Sequence, residues 1–453
     1  MAGAASSPRA SGAAWWTVAL LGLLYILSFV DRVILALLVA PLKADLGVSD
    51  LQLGLLFGPA FAVFYALVGL PIARLADRGD RRKLIVAGVL LWGLATVASG
   101  FAGSFWLLMV LRIGLAIGEA ALTPSAYSLI GDLFPPEQRA RAASIYSAAG
   151  MAGASGAYVV GAMVVQGVDA AAAGGHALPL GAWQLVLVIV GAPSLACGLL
   201  FALTVREPAR AQAGEGAPGL SEVMAHLRAR ARLFVGLFAG AGLTQAVGYA
   251  YSAWGPELLR RQFDLSIQQA GYAFGIAGLL AGLGGTLAAP QLTRVLERRG
   301  RRDAVALTSM ACIALGGSFA VMAPLQSSAI AFLVLHACGA FFLVGAANNV
   351  VVGLQALAPP RMRATFVALL LMCITLLGLG IGPTAAAAIS SGFDPSGQAL
   401  GPALSILAPA ICLPAFLLFF WSRGGILDQP DIKPAAKSTE WPGSSLGRAH
   451  EEG

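Results

Sequence analysis

Residues 73–83 read Ala73-Arg-Leu-Ala-Asp-Arg-Gly-Asp-Arg-Arg-Lys83, and this charged stretch decides the fold because it recurs. A related stretch, Glu297-Arg-Arg-Gly-Arg-Arg302, aligns with residues 77–82 at an offset of 220 residues. A second pair, Pro135-Pro-Glu-Gln-Arg-Ala140 and Pro359-Pro-Arg-Met-Arg-Ala364, aligns at an offset of 224 residues. Two matches at nearly one offset indicate that the chain is a duplicated unit in parallel orientation.

The composition around these stretches is that of an integral membrane protein. Of the 453 residues, 58% are hydrophobic and only 11% are charged, whereas a soluble protein carries about 25% charged residues. The formal charge of +7 does not indicate a nucleic-acid partner, because the basic residues flank apolar segments and form no patch with interleaved aromatic residues. The five cysteines lie in apolar stretches without CxxC spacing, so we predict no disulfide, no metal and no cofactor.

Twelve apolar segments are long enough to cross a bilayer, for which about 20 residues are needed. The sequence therefore predicts an all-α membrane protein with two six-helix bundles related by pseudo-symmetry. The predicted spans are 16–42, 51–76, 84–103, 105–130, 140–166, 182–204, 233–259, 267–293, 304–323, 328–356, 364–391 and 400–422.

The domain organisation follows from the interruptions between spans. The predicted bundles comprise residues 16–204 and 233–422. Between them, 205–232 contains a Pro- and Gly-containing entry followed by a charged segment, which predicts a flexible linker with a short surface helix. Residues 1–15 and 423–453 are the predicted tails.

The basic residues predict the orientation. The loops after even-numbered spans and the span ends beside them, together with the termini, hold 24 of the 29 Lys and Arg residues; Lys43, Arg260 and Arg261 lie on the other side, and Arg32 and Arg112 lie deep inside spans. This asymmetry predicts that both termini are cytoplasmic. We expect a monomer, surrounded by membrane lipids, in the inner membrane of a bacterium.

The loop after span 2 resembles the signature of the major facilitator superfamily, although Ala73 replaces its first glycine and its internal glycine comes one position early, at Gly79. A conformational latch that holds the cytoplasmic face closed is one interpretation. The alternative is that its bases only follow the orientation rule and bind lipid phosphates. The predicted latch residues of the two repeats are Asp77, Arg78, Arg81, Arg82, Glu297 and Arg301.

Three further stretches resemble Spinster-like transporters: Phe29-Val-Asp-Arg-Val in span 1, Arg112-Ile-Gly-Leu-Ala-Ile-Gly-Glu119 in span 4, and Arg139-Ala-Arg-Ala-Ala-Ser-Ile-Tyr146 at the start of span 5. The resemblance is most specific over residues 25–160. It implies a secondary transporter, coupled to protons, whose animal relatives export lysolipids and sphingosine phosphate. Export is favoured on this resemblance alone.

Four charged residues lie deep inside spans of the first half, namely Asp31, Arg32, Arg112 and Glu119. A charge in the bilayer costs roughly 2.5–3.5 kcal/mol on insertion scales, so such residues usually line a cavity or a substrate path. At 1.5 Å per residue, Asp31 and Arg112 lie ~16 Å and ~10 Å from the outer ends of their helices. This similar depth predicts an Asp31–Arg112 ion pair, in which protonation of Asp31 frees Arg112 to bind an anion.

The other two charges complete the predicted proton-coupling and solute sites. Glu119 follows Arg112 by seven residues and shares its helix face, about two turns deeper. Arg32 points about 100° away from Asp31, which makes Glu119 a candidate partner. We predict that Asp31, Arg112 and Glu119 couple protons, unless the four charges form a purely structural network.

The second half contributes few charges to the membrane, so we expect a cavity with one polar and one apolar wall, which suits an amphipathic anion. Arg32, Arg112, Glu119, Tyr249, Asn348 and Asn349 are the predicted solute-binding residues. His336 is isolated in span 10, where a packing role is the more common one.

The predicted function is secondary active transport, by alternating access, of an amphipathic lipid-like or organic anionic solute. The alternatives are a proton symporter that imports a small organic anion and a membrane sensor that binds a ligand without moving it. The chain has no GxxxxGK[ST] loop and no HExxH motif, and no Ser or Cys has an evident base partner, which argues against an ATP-driven pump and an enzyme.

Overall fold

The computed structural model describes residues 11–175, 180–209, 220–394 and 398–428, and every regular element in these ranges is helical. The helices are α1 (Gly12–Leu37), α2 (Val39–Leu46), α3 (Asp50–Phe57), α4 (Pro59–Arg78), α5 (Arg81–Ser99), α6 (Phe105–Glu119), α7 (Leu122–Leu133), α8 (Pro136–Ala173), α9 (Ala182–Thr204), α10 (Leu220–Ala229), α11 (Ala231–Phe263), α12 (Ile267–Arg298), α13 (Ala304–Met322), α14 (Ala329–Leu357), α15 (Arg363–Cys373), α16 (Gly380–Phe393) and α17 (Leu400–Leu427). A π-helical turn, Ile374–Leu379, joins α15 to α16.

The predicted twelve spans are confirmed, since within the described ranges twelve helices are long and apolar enough to cross a membrane. Spans 2, 4 and 11 are each built from two α-helices. Several helices extend beyond the predicted apolar segments; α8, for example, covers Pro136–Ala173 where 140–166 was expected. The turns added to α8 consist mostly of polar or small residues.

Helix starts are set by short polar side chains. The hydroxyls of Ser11, Ser49, Ser104 and Ser266 and the carboxylate of Asp80 each accept a hydrogen bond from a backbone N–H in the first turn of the following helix. These caps satisfy donors that have no partner within the helix. The short connections between spans are therefore specified locally.

The chain forms two bundles of six spans, as predicted for the duplicated unit. After residue 205, α10 is the short helix expected in the linker, and residues 210–219 lie outside the described part of the chain. Val223 of α10 is buried, and the His226 ring lies 5.8 Å from the rings of Phe234 and Phe366. We call the membrane end that carries α10 the linker face and the opposite end the far face.

The outward surface of the bundles is apolar. Trp106, Leu203 and Ile330 are each about three-quarters exposed, at 73%, 75% and 75%. Many other large apolar side chains are exposed as well. Such a surface would drive aggregation in water and is suited to contact lipid in a bilayer.

The two bundles pack closely towards the far face. A Cβ atom at Gly54 of α3 would lie 3.0 Å from the Cβ of Ala387 in α16, and one at Gly275 of α12 would lie 3.0 Å from the carbonyl oxygen of Ser155 in α8. Glycine at these positions lets helices of different halves approach closely.

Candidate solute cavity and inter-half contacts

A cavity of about 340 Å³ lies between the two halves. The first half contributes Arg32, Arg112 and Tyr158 to its wall, and the second half contributes Gln245, Tyr249, Tyr251, Phe274 and His336. This volume is within the range of small-molecule sites.

Arg32 of α1 forms an ion pair with Glu119 at the end of α6, as the spacing of the sequence had indicated. The guanidinium also stacks over aromatic rings, with its Cζ 4.3 Å from the centroid of Phe61 and 5.0 Å from that of Phe29. Glu119 is nearly fully buried, whereas the Arg32 side chain keeps 19% of its surface exposed. Arg32 therefore presents a partly neutralised positive charge to the cavity.

Arg112 does not pair with the carboxylate of Asp31. Its Nη1 donates to the main-chain oxygen of Asp31 at 3.3 Å, and its Nη2 donates to that of Arg32 at 2.7 Å. The predicted Asp31–Arg112 ion pair is wrong in this conformation, because equal depth fixes the height of a side chain but not the direction in which it leaves the helix. Arg112 instead holds α6 against the backbone of α1.

The carboxylate of Asp31 points into the first half. Its Oδ2 accepts a hydrogen bond of 2.7 Å from Ser194 Oγ in α9, and its Oδ1 has no hydrogen-bond partner. The residue is 1% exposed and does not line the central cavity. Asp31 and the solute space are thus separated, with Arg112 between them.

The wall from the second half is aromatic. The His336 ring stacks on Phe274 at 4.5 Å and on Tyr251 at 5.2 Å, with Phe332 behind it at 5.9 Å. Tyr249 lines the cavity next to Gln245, whose buried Oε1 has no hydrogen-bond partner. The expected asymmetry of one charged and one apolar wall is present, and His336 belongs to the apolar wall.

The geometry does not support solute binding by Asn348 and Asn349, since neither lines the cavity. Asn349 is fully buried; its Nδ2 donates to Val305 O and to Ser309 Oγ, and its Oδ1 accepts from Thr293 Oγ1 at 2.6 Å. Asn348 donates to Thr286 Oγ1 at 3.0 Å. A polar residue in a span can equally serve packing between helices, and that is the role seen here.

The predicted latch loop of the first half forms a brace within that half. The buried Arg81 pairs with Asp132 of α7 and, through Nε at 2.6 Å, with Glu207 beyond α9. The backbone N–H of Arg82 donates to Glu207 as well. Arg78 is exposed, and the side chain of Asp77 lies outside what the structure describes. The ends of spans 3, 4 and 6 are thereby tied together.

The repeated loop braces the second half in the same way. Arg301 donates to both carboxylate oxygens of Asp303 at 3.0 and 3.1 Å, and Arg423 of α17 pairs with the same carboxylate. Burial alone would raise the pKa of Asp303, but the hydrogen bonds from Arg301 and Arg423 outweigh it and hold the pKa below its usual range. Glu297 is half-buried at the end of α12. The partners of Arg81, Arg82 and Arg301 thus lie in their own halves or, for Glu207, at the start of the linker.

A cluster of five charges joins the halves at the far face. Arg261 of α11 donates to both oxygens of Asp50 in α3, at 2.7 and 2.9 Å, and Lys43 donates to Asp50 at 2.7 Å. Glu257 accepts from Arg260 and Arg261. We call Lys43, Asp50, Glu257, Arg260 and Arg261 the far-face clasp. Its signal in the sequence is that its three basic residues are the exceptions to the charge asymmetry.

Hydrogen bonds near the clasp also cross between the halves. Tyr158 Oη bonds to Ser252 at the edge of the cavity, Tyr272 Oη donates to Gln166 Oε1 at 2.7 Å, and Gln268 donates to Asp169. The far face is therefore held closed above the cavity.

Comparison with known proteins agrees with this arrangement. Residues 21–383 match the Major Facilitator Superfamily. The chain belongs to the Major Facilitator Superfamily. Within this superfamily it is Spinster-like: its structure is similar to the crystal structure of a bacterial homologue of the human lysosomal transporter Spinster, in an inward-facing and unoccupied conformation, with a TM-score of 0.80, 28% identity and coverage of 92% of this chain and 98% of that one.

Two curated proteins are similar to this chain over most of their own length. An MFS-type efflux pump of Mycolicibacterium smegmatis is 29% identical over 88% of this chain and 90% of its own. A probable sulfoacetate transporter of Cupriavidus necator is 29% identical over 71% of this chain and 75% of its own. The protein is thus a multi-pass membrane transporter with the alternating-access fold.

Proposed function

We propose that this transporter is a proton-coupled secondary carrier that exports an amphipathic organic anion. It works as a monomer in the cell membrane with both termini cytoplasmic, so the far face is the outer face and the structure is inward-facing. The observation that carries the proposal is the cavity in which Arg32 and Arg112 face an aromatic wall. No ATP is used directly.

The charged wall supports an anion as the solute. Two guanidinium groups reach the cavity, and each can donate paired hydrogen bonds to a carboxylate, sulfonate or phosphate. Arg32 is partly neutralised by Glu119, whereas the guanidinium of Arg112 bonds only to main-chain oxygens among the described contacts. Arg112 is therefore the stronger candidate for the anion contact.

The aromatic wall supports an apolar part in the same solute. The rings of Tyr251, Phe274 and His336 form one surface opposite the arginines. A volume of about 340 Å³ accommodates a small amphipathic anion completely, and a long-chain lipid only with its headgroup and part of its chain. A panel of solutes of increasing chain length therefore separates the two classes.

Proton coupling is supported by the position of Asp31 behind Arg112. A buried carboxylate strongly attracts a guanidinium at short range in a medium of low dielectric constant. Protonation of Asp31 removes this attraction and leaves the positive charge of Arg112 available to an anion. Glu119 acts in the same manner on Arg32, with which it pairs directly.

Import by proton symport is the second candidate, and the same geometry favours it. If protonation of Asp31 strengthens anion binding at Arg112, the proton and the anion bind together and move in one direction. Export requires instead that the anion and the proton bind in turn and move in opposite directions. The similarity to an efflux pump supports export. The similarity to a probable sulfoacetate transporter supports a small organic anion as the solute.

The test uses purified protein in liposomes that contain a pH-sensitive dye, with lysolipids, alkyl sulfonates and carboxylates as solutes. Solute movement with proton movement in the opposite direction supports export, and movement in the same direction supports symport. Arg112→Gln should lower solute affinity at least tenfold, while Arg232→Gln, which removes an arginine exposed at the linker face, should not. Binding without movement of any solute would support the sensor alternative and contradict the proposal.

A further inference from the structure

A second cavity lies inside the first half, between α1, α5, α6 and α9. Its volume is about 10 Å³, which is room for about one water molecule. Its wall is formed by four leucines and four polar residues, namely Asp31, Thr96, Ser99 and Arg112. Arg112 lines both this cavity and the central one, whereas Asp31 lines only this one.

Two buried polar atoms of residues that line this cavity have no hydrogen-bond partner, namely Asp31 Oδ1 and Arg112 Nε. Their residues are 1% and 4% exposed. Oδ1 is an acceptor and Nε–H is a donor, so a water molecule between them would satisfy both. Leaving either atom without a partner is costly, because each belongs to a charged group.

The hydroxyls of the wall can supply the third partner. Thr96 Oγ1 donates to Trp92 O at 3.0 Å and Ser99 Oγ donates to Ala95 O at 2.8 Å, and each oxygen can still accept a hydrogen bond. A buried water typically makes about three hydrogen bonds. Oδ1, Nε–H and one hydroxyl oxygen together provide this number.

We propose that this cavity binds one water molecule, held by Asp31 Oδ1 and Arg112 Nε, and that Asp31 exchanges its proton through this water and not through the solute cavity. In the transfer step, a protonated water gives its proton to Oδ1. One O–H bond of the hydronium breaks, the O–H bond of the carboxylic acid forms, and neutral water remains. The proton enters past Ser99, which is half-buried at the far-face end of α5.

The charges around Asp31 come from two helices. Arg112 and Glu119 face it from α6, and Arg32 follows it on α1; α9 contributes the neutral hydroxyl of Ser194, and α5 places the neutral hydroxyls of Thr96 and Ser99 in the same cavity. Proton exchange through the second cavity rests on the proposed coupling role of Asp31, but the binding of a water molecule there does not.

Infrared difference spectra between acid and neutral pH test the site on the whole protein in lipid. Asp31→Asn identifies the C=O band of the protonated Asp31, and Ser194→Ala, which removes a hydrogen bond seen in the structure, calibrates how far the band moves when one bond is lost. A water band that shifts between D₂O and D₂¹⁸O, present in the wild type and absent in Asp31→Asn, is the expected result.

A matched pair of variants at one position excludes indirect effects. Ser99→Val fills the cavity and Ser99→Ala does not, while both remove the same hydroxyl. We expect Ser99→Val to raise the frequency of the Asp31 band, to abolish the water band and to slow the rise of the Asp31 band after a pH jump at least tenfold. Ser99→Ala should leave the band position and the rate nearly unchanged.

Three results would overturn the inference: no isotope-sensitive water band in the wild type, equal effects of the two Ser99 variants, or the absence of an Asp31 band at any accessible pH. Because none of these readouts requires solute transport, a failure of the proposed export or symport leaves the water site testable. Conversely, transport with full proton coupling in Ser99→Val would contradict proton exchange through the second cavity while supporting the proposed proton-coupled transport.

Discussion

Neutralising Asp50 should open the far face. Asp50→Asn keeps the size of the side chain but removes the charge that receives two hydrogen bonds from Arg261 across the halves, at 2.7 and 2.9 Å. A hydrogen bond to a charged group contributes about 1.5–3 kcal/mol. Arg261 and Asp50 are only 10% and 4% exposed, so screening by solvent reduces this value little.

The expected change in the ratio of closed to open molecules depends on these two hydrogen bonds and on the water that replaces them in the open state. In the open state water solvates both groups, so we take about 3 kcal/mol as the differential loss, half of the upper sum of the two bonds. Since 1.4 kcal/mol corresponds to a factor of ten, the ratio of closed to open molecules should fall about 100-fold. A wild type that is almost wholly closed would become a measurable mixture.

Distances between two spin labels at the far face measure this ratio. Ala44 and Gln398 are exposed and belong to different halves, and the five native cysteines are replaced beforehand. Arg260→Gln is the matched control, because Arg260 pairs with Glu257 on its own helix. Wild-type distances in Asp50→Asn, or an equal shift in Arg260→Gln, would refute the argument that the Asp50–Arg261 pair holds the halves together.

The remaining predictions concern solute contacts, acid stability and the linker-face brace. Asn349→Ala should lower the free energy of unfolding by about 2 kcal/mol, because it leaves buried partners unsatisfied, and should leave solute affinity unchanged. Tyr249→Ala should weaken solute binding about tenfold at a nearly constant melting temperature. The reverse pattern would return Asn349 to the solute site. Because the pKa of Asp303 is lowered in the folded protein, its stabilising contribution is present above the ordinary carboxyl range and is lost below about pH 4. The melting temperature of Asp303→Asn should therefore lie below that of the wild type at pH 7 and approach it below pH 4, and a constant difference across this range would contradict the assignment. Arg81→Gln should lower the melting temperature without changing the far-face distances, since its partners Asp132 and Glu207 lie in the first half and at the start of the linker, not in the second half. A shift of those distances would restore a latch role.

The sequence predicted the features of the fold that depend on local composition. Span number, duplication and the linker helix follow from apolar length and from recurring loops. The pairing of Arg32 with Glu119 could also be predicted from the sequence. The spacing of seven residues between Arg112 and Glu119 fixes the helix face of Glu119, and a buried arginine has few other possible partners.

The parts of the site that sequence could not predict depend on helix rotation and on distant spans. Depth along α1 and α6 placed Asp31 near Arg112 correctly, but the carboxylate finds Ser194 in α9, more than 160 residues away, for which no periodicity exists. Asn349 shows the same limit, since a buried packing network and a solute contact look alike in one sequence. Lys43, Arg260 and Arg261 gave a usable signal as exceptions to the charge asymmetry, although their partners Asp50 and Glu257 became visible only in the structure.

The claim that Asp31 couples protons to solute movement is tested most directly by Asp31→Asn in liposomes, with proton-driven net transport and solute exchange at equal pH measured side by side. The account predicts that net transport driven by a pH gradient is lost while exchange continues, because the variant keeps the cavity and Arg112 but cannot bind a proton. Unchanged proton-driven transport in Asp31→Asn would contradict it and would leave the buried charges of the first half with a structural role.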